Sequence, residues 1–368
     1  MMKGFATPVQ TFFIPLVTTQ GRSVYDETNP FPSTRYQGSK NKLTNWIWDN
    51  ISDLHFHTAL DAFGGTGAVS HLLKRKGKCV CYNDVLKFNY WIGKALIEND
   101  EVLLSDDDID FVVSNDTGHY KFIQKKFGGI FYTDSENAWL DRIIFNIHQM
   151  GDEYKQAMAF FALFQSCIIK RPYNLFHRAN LYLRLSDVPR SFGNKTSWDR
   201  SFTDYFKLFA QEANEAVFSN GHQCRVRNAD ALDLDTEDFD LVYLDTPYIS
   251  DKGMGTDYLD FYHFLEGIAH YGQWESMICE RHKHKPIRNF IPSPWTDKEH
   301  IVAEFEKMVK KFHKSKIIIS YRSNGIPSVE QLCALLRKYK NEVRVIYSRD
   351  YKYVLSHSDV KEVLVIGV

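Results

Sequence analysis

The chain has 368 residues, of which 45 are Lys or Arg and 46 are Asp or Glu, and it is 44% hydrophobic and 25% charged. This composition is typical of a globular protein and excludes an intrinsically disordered chain, while the length allows one large domain or two ordinary ones. The formal net charge of −1 disfavours a uniformly basic nucleic-acid binder but permits a local basic face.

The cysteines and the apolar runs exclude further classes of protein. The six cysteines include no CxxC pair, which excludes a zinc ribbon and a thioredoxin-like site. The longest purely apolar run, residues 157–164, is far shorter than the roughly 18 residues that span a bilayer. Since the beginning of the chain also lacks a signal-peptide pattern, we expect a cytoplasmic protein that makes no membrane contact.

The first predicted elements form a β-turn-α-β unit. Residues 1–30 have no sustained period and are interpreted as an N-terminal arm, and residues 40–51 carry an apolar stripe at helical spacing. HTALDAF (57–63) predicts a strand, GGTG (64–67) a tight turn that opens a helix, and KCVCYND (78–84) a second strand. This order is typical of the start of a doubly wound α/β sheet.

The alternation of strands and helices stops between residues 101 and 220. This stretch has helical patterns at 135–150 and 152–169, and then a basic and aromatic run at 170–200. Strand patterns resume with CRVRNADAL, FDLVYLDTPY, KIIISYRS, VRVIYSR and VKEVLVIG. We therefore predict one discontinuous domain, residues 31–100 and 221–368, interrupted by a mainly helical and loop-rich insertion at 101–220.

The glycine turn is a candidate nucleotide-binding motif. Gly64, Gly65 and Gly67 permit a sharp bend and let backbone amides approach a ligand at a helix N-terminus. Asp84 follows Gly67 by 17 residues. Dinucleotide- and nucleoside-binding proteins have an acid near this position that accepts hydrogen bonds from the ribose hydroxyls. Alone, the pattern fits nicotinamide, flavin or S-adenosylmethionine binding, or a purely structural turn. Ser70 stands where a dinucleotide site would have its third glycine, which disfavours a pyrophosphate ligand.

A second motif, LVYLDTPY (241–248), ends a predicted strand at the edge of the sheet where ligands bind. The Asp245 carboxylate and the Thr246 carbonyl can each accept a hydrogen bond, Pro247 stiffens the turn, and Tyr248 offers a flat face for stacking. Two acceptors on the hydrogens of a heterocyclic amine favour its pyramidal form, whose lone pair can attack a methyl sulfonium. Two acceptors and a stacking ring are the groups that an enzyme needs to act on the amine of a base flipped out of a duplex. The alternative interpretation of the motif is an ordinary Asp-x-Pro turn.

Six motifs, taken in order, resemble a known family. YQGSK (36–40), DAFGGTG (61–67), ND (83–84), RNAD (227–230), LDTPY (244–248) and SYRSNG (320–325) are similar to those of the Dam-like, D12-class, adenine-specific DNA methyltransferases. The resemblance runs from about Tyr36 to Val368. It implies a Rossmann-like SAM-dependent methyltransferase sheet with an inserted target-recognition domain, in the family's alpha arrangement, and S-adenosylmethionine (SAM) as cofactor.

The resemblance also implies roles for single residues. Tyr36 and Lys40 would approach the methionine part of SAM, Asp84 its ribose, and Asp230 its adenine. The other matching positions are the cofactor-binding Asp61, Phe63, Gly65 and Gly67 and the catalytic loop Asp245, Thr246, Pro247 and Tyr248. The family has DPPY where this chain has Thr246. A threonine relaxes the φ angle at this position but keeps the carbonyl, so we expect the chemistry to survive with less rigidity.

The basic run supplies evidence for a nucleic-acid partner. Residues 168–200 contain seven Lys or Arg and two Asp, interleaved with aromatic residues, a pattern that suits phosphates and bases. RPYNLFHRANLYLR (171–184) is similar to part of the family's target-recognition region. The candidate DNA contacts are Arg171, Asn174, Arg178, Asn180 and Arg184. The alternative is a solvated basic loop.

We predict a site-specific DNA adenine-N6 methyltransferase that flips its target base and transfers the methyl group directly, without a metal. Its partners would be double-stranded DNA and a possible cognate restriction endonuclease, and the chain would be a monomer or a weak dimer. Three alternatives remain open: methylation of adenine in RNA or of the cytosine amino group, a SAM- and DNA-binding module impaired by Thr246, and a nicotinamide-dependent oxidoreductase.

Overall fold

The computed structural model describes residues 29–115, 120–186, 195–235, 239–287, 293–348 and 360–368. Residues 1–28, which are nearly all of the predicted N-terminal arm, lie outside the described residues. In the described ranges, helices surround a seven-stranded sheet, and no helix is long and apolar enough to cross a membrane.

Seven of the described strands lie in segments predicted as strands, and the short strands Ile249–Ser250 and Gly325–Ile326 lie outside them. The described strands are Thr58–Asp61 (β1), Cys79–Asn83 (β2), Arg225–Arg227 (β3), Leu241–Leu244 (β4), Ile249–Ser250 (β5), Lys316–Arg322 (β6), Gly325–Ile326 (β7), Val343–Tyr347 (β8) and Glu362–Gly367 (β9). The main sheet has the order β3-β2-β1-β4-β6-β9-β8, and β5 pairs with β7 separately. Neighbouring strands from β3 to β6 are parallel, whereas β9 is antiparallel to both of its neighbours.

The central strands are covered on both faces. Strands β4 and β9 are buried along their whole length, which explains why their sequences are nearly continuous apolar runs. Because side chains alternate along a strand, Ala59 and Tyr243 enter one apolar core while Leu60 and Val242 enter the other. The predicted Rossmann-like α/β fold is confirmed.

The helices are Thr44–Ile51 (α1), Ala68–Arg75 (α2), Lys87–Gly93 (α3), Asp106–Val113 (α4), Phe122–Lys126 (α5), Asp134–His148 (α6), Glu153–Ile169 (α7), Tyr182–Leu185 (α8), Lys195–Asp199 (α9), Phe202–Ala216 (α10), Tyr258–Ala269 (α11), Trp274–Met277 (α12), Ile301–Lys311 (α13) and Val329–Leu336 (α14). Short 3₁₀ turns lie at Asn41–Leu43, Pro172–Asn174 and Pro294–Thr296, and a π-helical turn, Lys94–Glu98, continues α3.

Helices α4 to α10 lie between β2 and β3 in the chain. Helix α6 begins at a capping box in which Thr133 and Glu136 satisfy each other's backbone amides. Helix α7 is buried on every side from Ala157 to Ile168, so the longest apolar run in the sequence is a core helix. It belongs to the same apolar core as one face of the sheet.

Helix α11, which follows the loop after β4, packs closely on α12. A Cβ atom at Gly267 would lie 1.9 Å from Cε2 of Trp274, a fully buried side chain. We expect Gly267→Ala to lower the free energy of unfolding by about 2 kcal/mol, because overpacking outweighs the gain in helix propensity. Gly272→Ala is the control, since a Cβ there meets nothing within 4 Å. Urea unfolding of both variants measures the difference, and equal stabilities would contradict this description of the contact.

Candidate active site

A cavity of about 360 Å³ opens at the carboxyl ends of β1, β2 and β4. Parallel strands bring these ends to one edge of the sheet, so the cavity wall combines distant parts of the chain. The predicted site residues in its lining are Tyr36, Lys40, Asp61, Phe63, Gly65, Asp84, Asp230, Asp245 and Pro247. Gly67, Thr246 and Tyr248 adjoin these residues in the chain. The five predicted DNA contacts are not part of the lining.

The glycine turn between β1 and α2 is shaped by close packing. The amide of Gly64 donates to the carbonyl of Asn83 at 2.8 Å, and a Cβ atom at Gly64 would lie 2.0 Å from the ring of Tyr82. Gly67 has a φ of +79° and precedes the first residue of α2. A side chain is therefore excluded at Gly64 by space and disfavoured at Gly67 by backbone conformation.

Two buried carboxylates face the cavity beside this turn. Asp84 accepts hydrogen bonds from the amides of Gly65 (2.9 Å) and Leu86 (2.8 Å), and burial raises its pKa to about 6. Burial raises the pKa of Asp61 to about 7, against the hydrogen bond that Ser70 Oγ donates to its Oδ2 at 2.7 Å. Ser70, at the place of the missing third glycine, thus orients a cavity acid.

The YQGSK segment is held by an aromatic stack. The ring of Tyr36 lies between those of Tyr258 and Tyr262, with centroid distances of 5.5 and 4.5 Å and interplanar angles of 7° and 8°. The amide of Gln37 donates to the Tyr262 hydroxyl at 2.8 Å, and a Cβ at Gly38 would lie 2.4 Å from the Tyr258 hydroxyl. Helix α11 therefore fixes the segment that carries Lys40.

Asp245, at the end of β4, forms a buried ion pair with Lys40. The Lys40 ammonium lies 2.8 Å from Oδ1 and 2.7 Å from Oδ2 of Asp245. Burial raises the pKa of Asp245 to about 6, the Lys40 charge opposes that rise, and the Glu362 charge adds to it. The adjacent Thr246 is buried, and its hydroxyl donates to the carbonyl of Pro247 at 3.3 Å.

The Tyr248 hydroxyl contacts Glu362, a residue that the sequence did not predict as part of the site. This hydroxyl lies 3.0 Å from Oδ1 of Asp245 and 2.5 Å from Oε1 of Glu362, and the Tyr248 ring meets the ring of Tyr321 edge to face. Ser320 Oγ donates to the same Glu362 oxygen at 2.7 Å. The signal that could have found Glu362 is an acid at the start of the apolar run EVLVIG.

Three of the predicted DNA contacts are buried in the protein. The Arg171 guanidinium donates to the carbonyls of Phe131, Leu175 and Arg178 and to the side chain of Asn180. Arg184 forms a two-point ion pair with Glu136. Arg171, Asn180 and Arg184 are 1%, 6% and 7% exposed, and thus do not present their polar groups to a duplex.

The other two predicted contacts lie at or near the surface of the same segment. Arg178 is exposed and Asn174 is partly exposed, and the aromatic rings of Tyr173 and Tyr182 are largely exposed beside them. The amide of Phe176 donates to the carbonyl of Phe261 at 2.9 Å. This bond ties the segment to α11, whose first residues line the cavity.

Comparison with known proteins identifies the chain's family. The D12 class N6 adenine-specific DNA methyltransferase family matches residues 36–317. The chain belongs to this family. The methyltransferase is 31% identical over 326 residues to the type II methyltransferase M2.HphI of Haemophilus parahaemolyticus, an alignment that covers 86% of this chain and 91% of that relative. The predicted resemblance and the predicted DNA adenine-N6 methyltransferase activity are confirmed.

Two further relatives are longer proteins. The identity is 23% over 340 residues with the modification methylase LlaI of Lactococcus lactis subsp. lactis, covering 89% of this chain and 52% of that relative. It is 24% over 354 residues with the type II methyltransferase M.FokI of Planomicrobium okeanokoites, covering 88% of this chain and 50% of that relative. The chain thus spans about half the length of these two. The family uses SAM in general and acts on DNA.

The buried ion pair predicts the pH dependence of this methyltransferase. If catalysis needs the ionised Asp245, kcat/KM for DNA at saturating SAM falls about tenfold per pH unit below pH about 6. Lys40→Met removes the cation that opposes the rise, so the acid limb of the profile should move to higher pH. If the acid limb of the Lys40→Met profile stays at the wild-type pH, Asp245 is not the group whose ionisation sets that limb.

Unfolding must be separated from that decline, because buried groups act on stability in opposite directions. Burial lowers the pKa of His71 to about 4 and of His263 to about 3, so these two groups decrease the free energy of unfolding as the pH falls. The pKa values of Asp61, Asp84 and Asp245 are raised in the folded state, so at these sites the folded protein binds more protons than the unfolded chain between about pH 4 and 7. These groups therefore increase the free energy of unfolding as the pH falls through that range. Thermal unfolding at each pH is the control.

Proposed function

We propose that the cavity at the ends of β1, β2 and β4 binds SAM through the residues predicted from the sequence. Its volume of about 360 Å³ falls in the range of small-molecule pockets. Buried Oδ1 of Asp61 has no hydrogen-bond donor among the described residues, which leaves an acceptor for an amino group of the ligand. Asp84 keeps acceptor capacity for a ribose hydroxyl, since its two oxygens meet two backbone amides and the Asn89 side chain and have about four acceptor positions.

The catalytic loop then acts on adenine N6. When bound, SAM supplies an electrophilic methyl group on a positively charged sulfur. The Asp245 carboxylate and the Thr246 carbonyl accept the two amine hydrogens, and Tyr248 stacks on the flipped base. The N6 lone pair would form the bond to the methyl carbon as the carbon–sulfur bond breaks and leaves its electron pair on sulfur, and the N6 proton that faces Asp245 would pass to that carboxylate. Most of the acceleration comes from proximity and orientation.

One observation carries this proposal: Asp245 lines the same cavity as the glycine turn and Asp84. An amine acceptor and a nucleotide-binding turn are thereby held in one space, at the edge of the sheet where doubly wound folds bind ligands. Residues 31–100 and 221–368 would be the SAM-binding catalytic unit, because both contribute strands to the same sheet.

We further propose that the insertion, residues 101–220, recognises the target DNA. Asn174 and Arg178 would contact the duplex, with the exposed rings of Tyr173 and Tyr182 beside them. Arg171, Asn180 and Arg184 would instead support this surface from below, through the carbonyls and the carboxylate that they bind. The names of the relatives as modification methylases and type II methyltransferases support a cognate restriction endonuclease as a partner.

The catalytic proposal predicts the effect of an isosteric change at Asp245. Asp245→Asn should lower kcat about 10²- to 10³-fold, since an amide is a weaker acceptor than a carboxylate, while the SAM Kd stays within about threefold. Asp251→Asn, an exposed acid six residues further along, is the control and should keep full activity. Transfer of tritium from labelled SAM into duplex DNA gives the rate, and calorimetry gives the Kd. Full activity of Asp245→Asn would disprove the assignment.

The proposal for the insertion predicts different roles for Arg178, which would contact DNA, and Arg171, which would stabilise the fold. Arg178→Ala should weaken duplex binding about tenfold without changing the free energy of unfolding. Arg171→Met should lower that free energy by about 2 kcal/mol or more, because it leaves several buried acceptors without a donor. Fluorescence anisotropy with a labelled duplex and urea unfolding measure the two effects. A stable Arg171→Met variant that has lost only DNA affinity would return Arg171 to the DNA surface.

A further inference from the structure

A second carboxylate lies beneath the catalytic loop. Glu362 begins β9, in the interior of the sheet between β6 and β8, and its side chain is 1% exposed. Three partners converge on a single oxygen, Oε1: the Tyr248 hydroxyl at 2.5 Å, Ser320 Oγ at 2.7 Å and the Lys40 ammonium at 3.7 Å. Two of these partners belong to the site described above.

The fold itself gains little from an acid at this position. The next residues of β9, Val363 to Ile366, are apolar and fully buried. A buried carboxylate carries a large desolvation cost, and a well-packed apolar residue usually serves stability as well or better. The reason for the carboxylate is therefore to be sought in its partners.

Lys40 and Tyr248 already donate to the carboxylate that the proposed chemistry needs. The Lys40 ammonium lies within 2.8 Å of each oxygen of Asp245, whereas an adenine amine requires one of them as an acceptor. An amine that approaches Asp245 from the side of Lys40 displaces the ammonium, which in this mostly buried site requires another carboxylate. Glu362 Oε1 is 3.7 Å away, about 0.5 Å beyond hydrogen-bonding distance, so a small rotation of the lysine side chain suffices.

The Tyr248 hydroxyl has one proton and two acceptors within reach. Glu362 Oε1 is nearer, at 2.5 Å, than Asp245 Oδ1 at 3.0 Å. A proton donated to Glu362 leaves the Asp245 oxygen available for the amine and anchors the Tyr248 ring through its far end.

We propose that Glu362 is a positioning residue of the methyl transfer: it anchors the Tyr248 hydroxyl and receives the Lys40 ammonium when the target amine takes its place on Asp245. This inference rests on the proposed function of Asp245. Among the described residues, the titratable groups that face Glu362 are Lys40, Asp245, Tyr248 and Tyr243.

The decisive variant is Glu362→Gln, which keeps the size and the acceptor oxygen but removes the charge. We expect kcat to fall about 10- to 100-fold, because Lys40 stays on Asp245, while the Kd values for SAM and duplex change less than about twofold. The acid limb of kcat/KM should move to lower pH, since the Glu362 charge raises the pKa of Asp245. The matched control is Glu342→Gln, which changes an exposed acid immediately before β8 and should behave as wild type.

A second variant covers the case in which Glu362→Gln does not fold. Glu362→Asp keeps the charge but withdraws the oxygen from Tyr248 by one methylene, so kcat should fall while the acid limb stays in place. Wild-type kcat and pH profile in both variants would overturn the inference, as would losses that follow SAM affinity or thermal stability alone. If wild-type protein transfers no methyl group to DNA, the proposed function fails instead, which distinguishes the two failures.

Discussion

The position of the carboxylate that we propose as catalytic depends on one ion pair between residues 205 positions apart in the chain. Asp245 lies at the end of a central parallel strand, where burial pushes a carboxyl toward its neutral form. The Lys40 ammonium, itself 6% exposed, opposes this and holds the side chain at the cavity wall. A mostly buried ion pair is less screened than one at the surface, so its geometry influences both the charge and the orientation of the carboxylate.

Aromatic packing supplies the rigidity that this ion pair requires. Lys40 belongs to a short segment before α1 with little structure of its own, and the stack of Tyr36 between Tyr258 and Tyr262 holds it against α11. The same helix stacks its Phe264 on Phe176 of the basic segment, at a centroid distance of 5.2 Å. The cavity and the proposed DNA surface are thus both attached to one helix through aromatic contacts, which accounts for part of the 15% aromatic content.

The basic segment illustrates where sequence reasoning stops. Composition and the family resemblance predicted five DNA contacts in it, yet Arg171 and Arg184 donate to backbone carbonyls and to Glu136. A guanidinium satisfies buried acceptors as readily as phosphates or guanine edges, so residue type alone does not separate the two uses. Ser70 is a similar case, because its bond to Asp61 depends on how α2 lies against β1.

The sequence by itself determined the order of strands and helices, the glycine turn, and the acids after β2 and β4, because these depend on local periodicity and on residues whose chemistry is tied to short motifs. It also carried enough motif order to identify the family. The tertiary structure alone decided which side chains meet: Glu362 beneath Asp245, Tyr258 and Tyr262 around Tyr36, and Arg171 inside rather than outside. The physical reason is that such contacts are set by strand order in the sheet and by burial, and neither quantity can be read from neighbours along the chain.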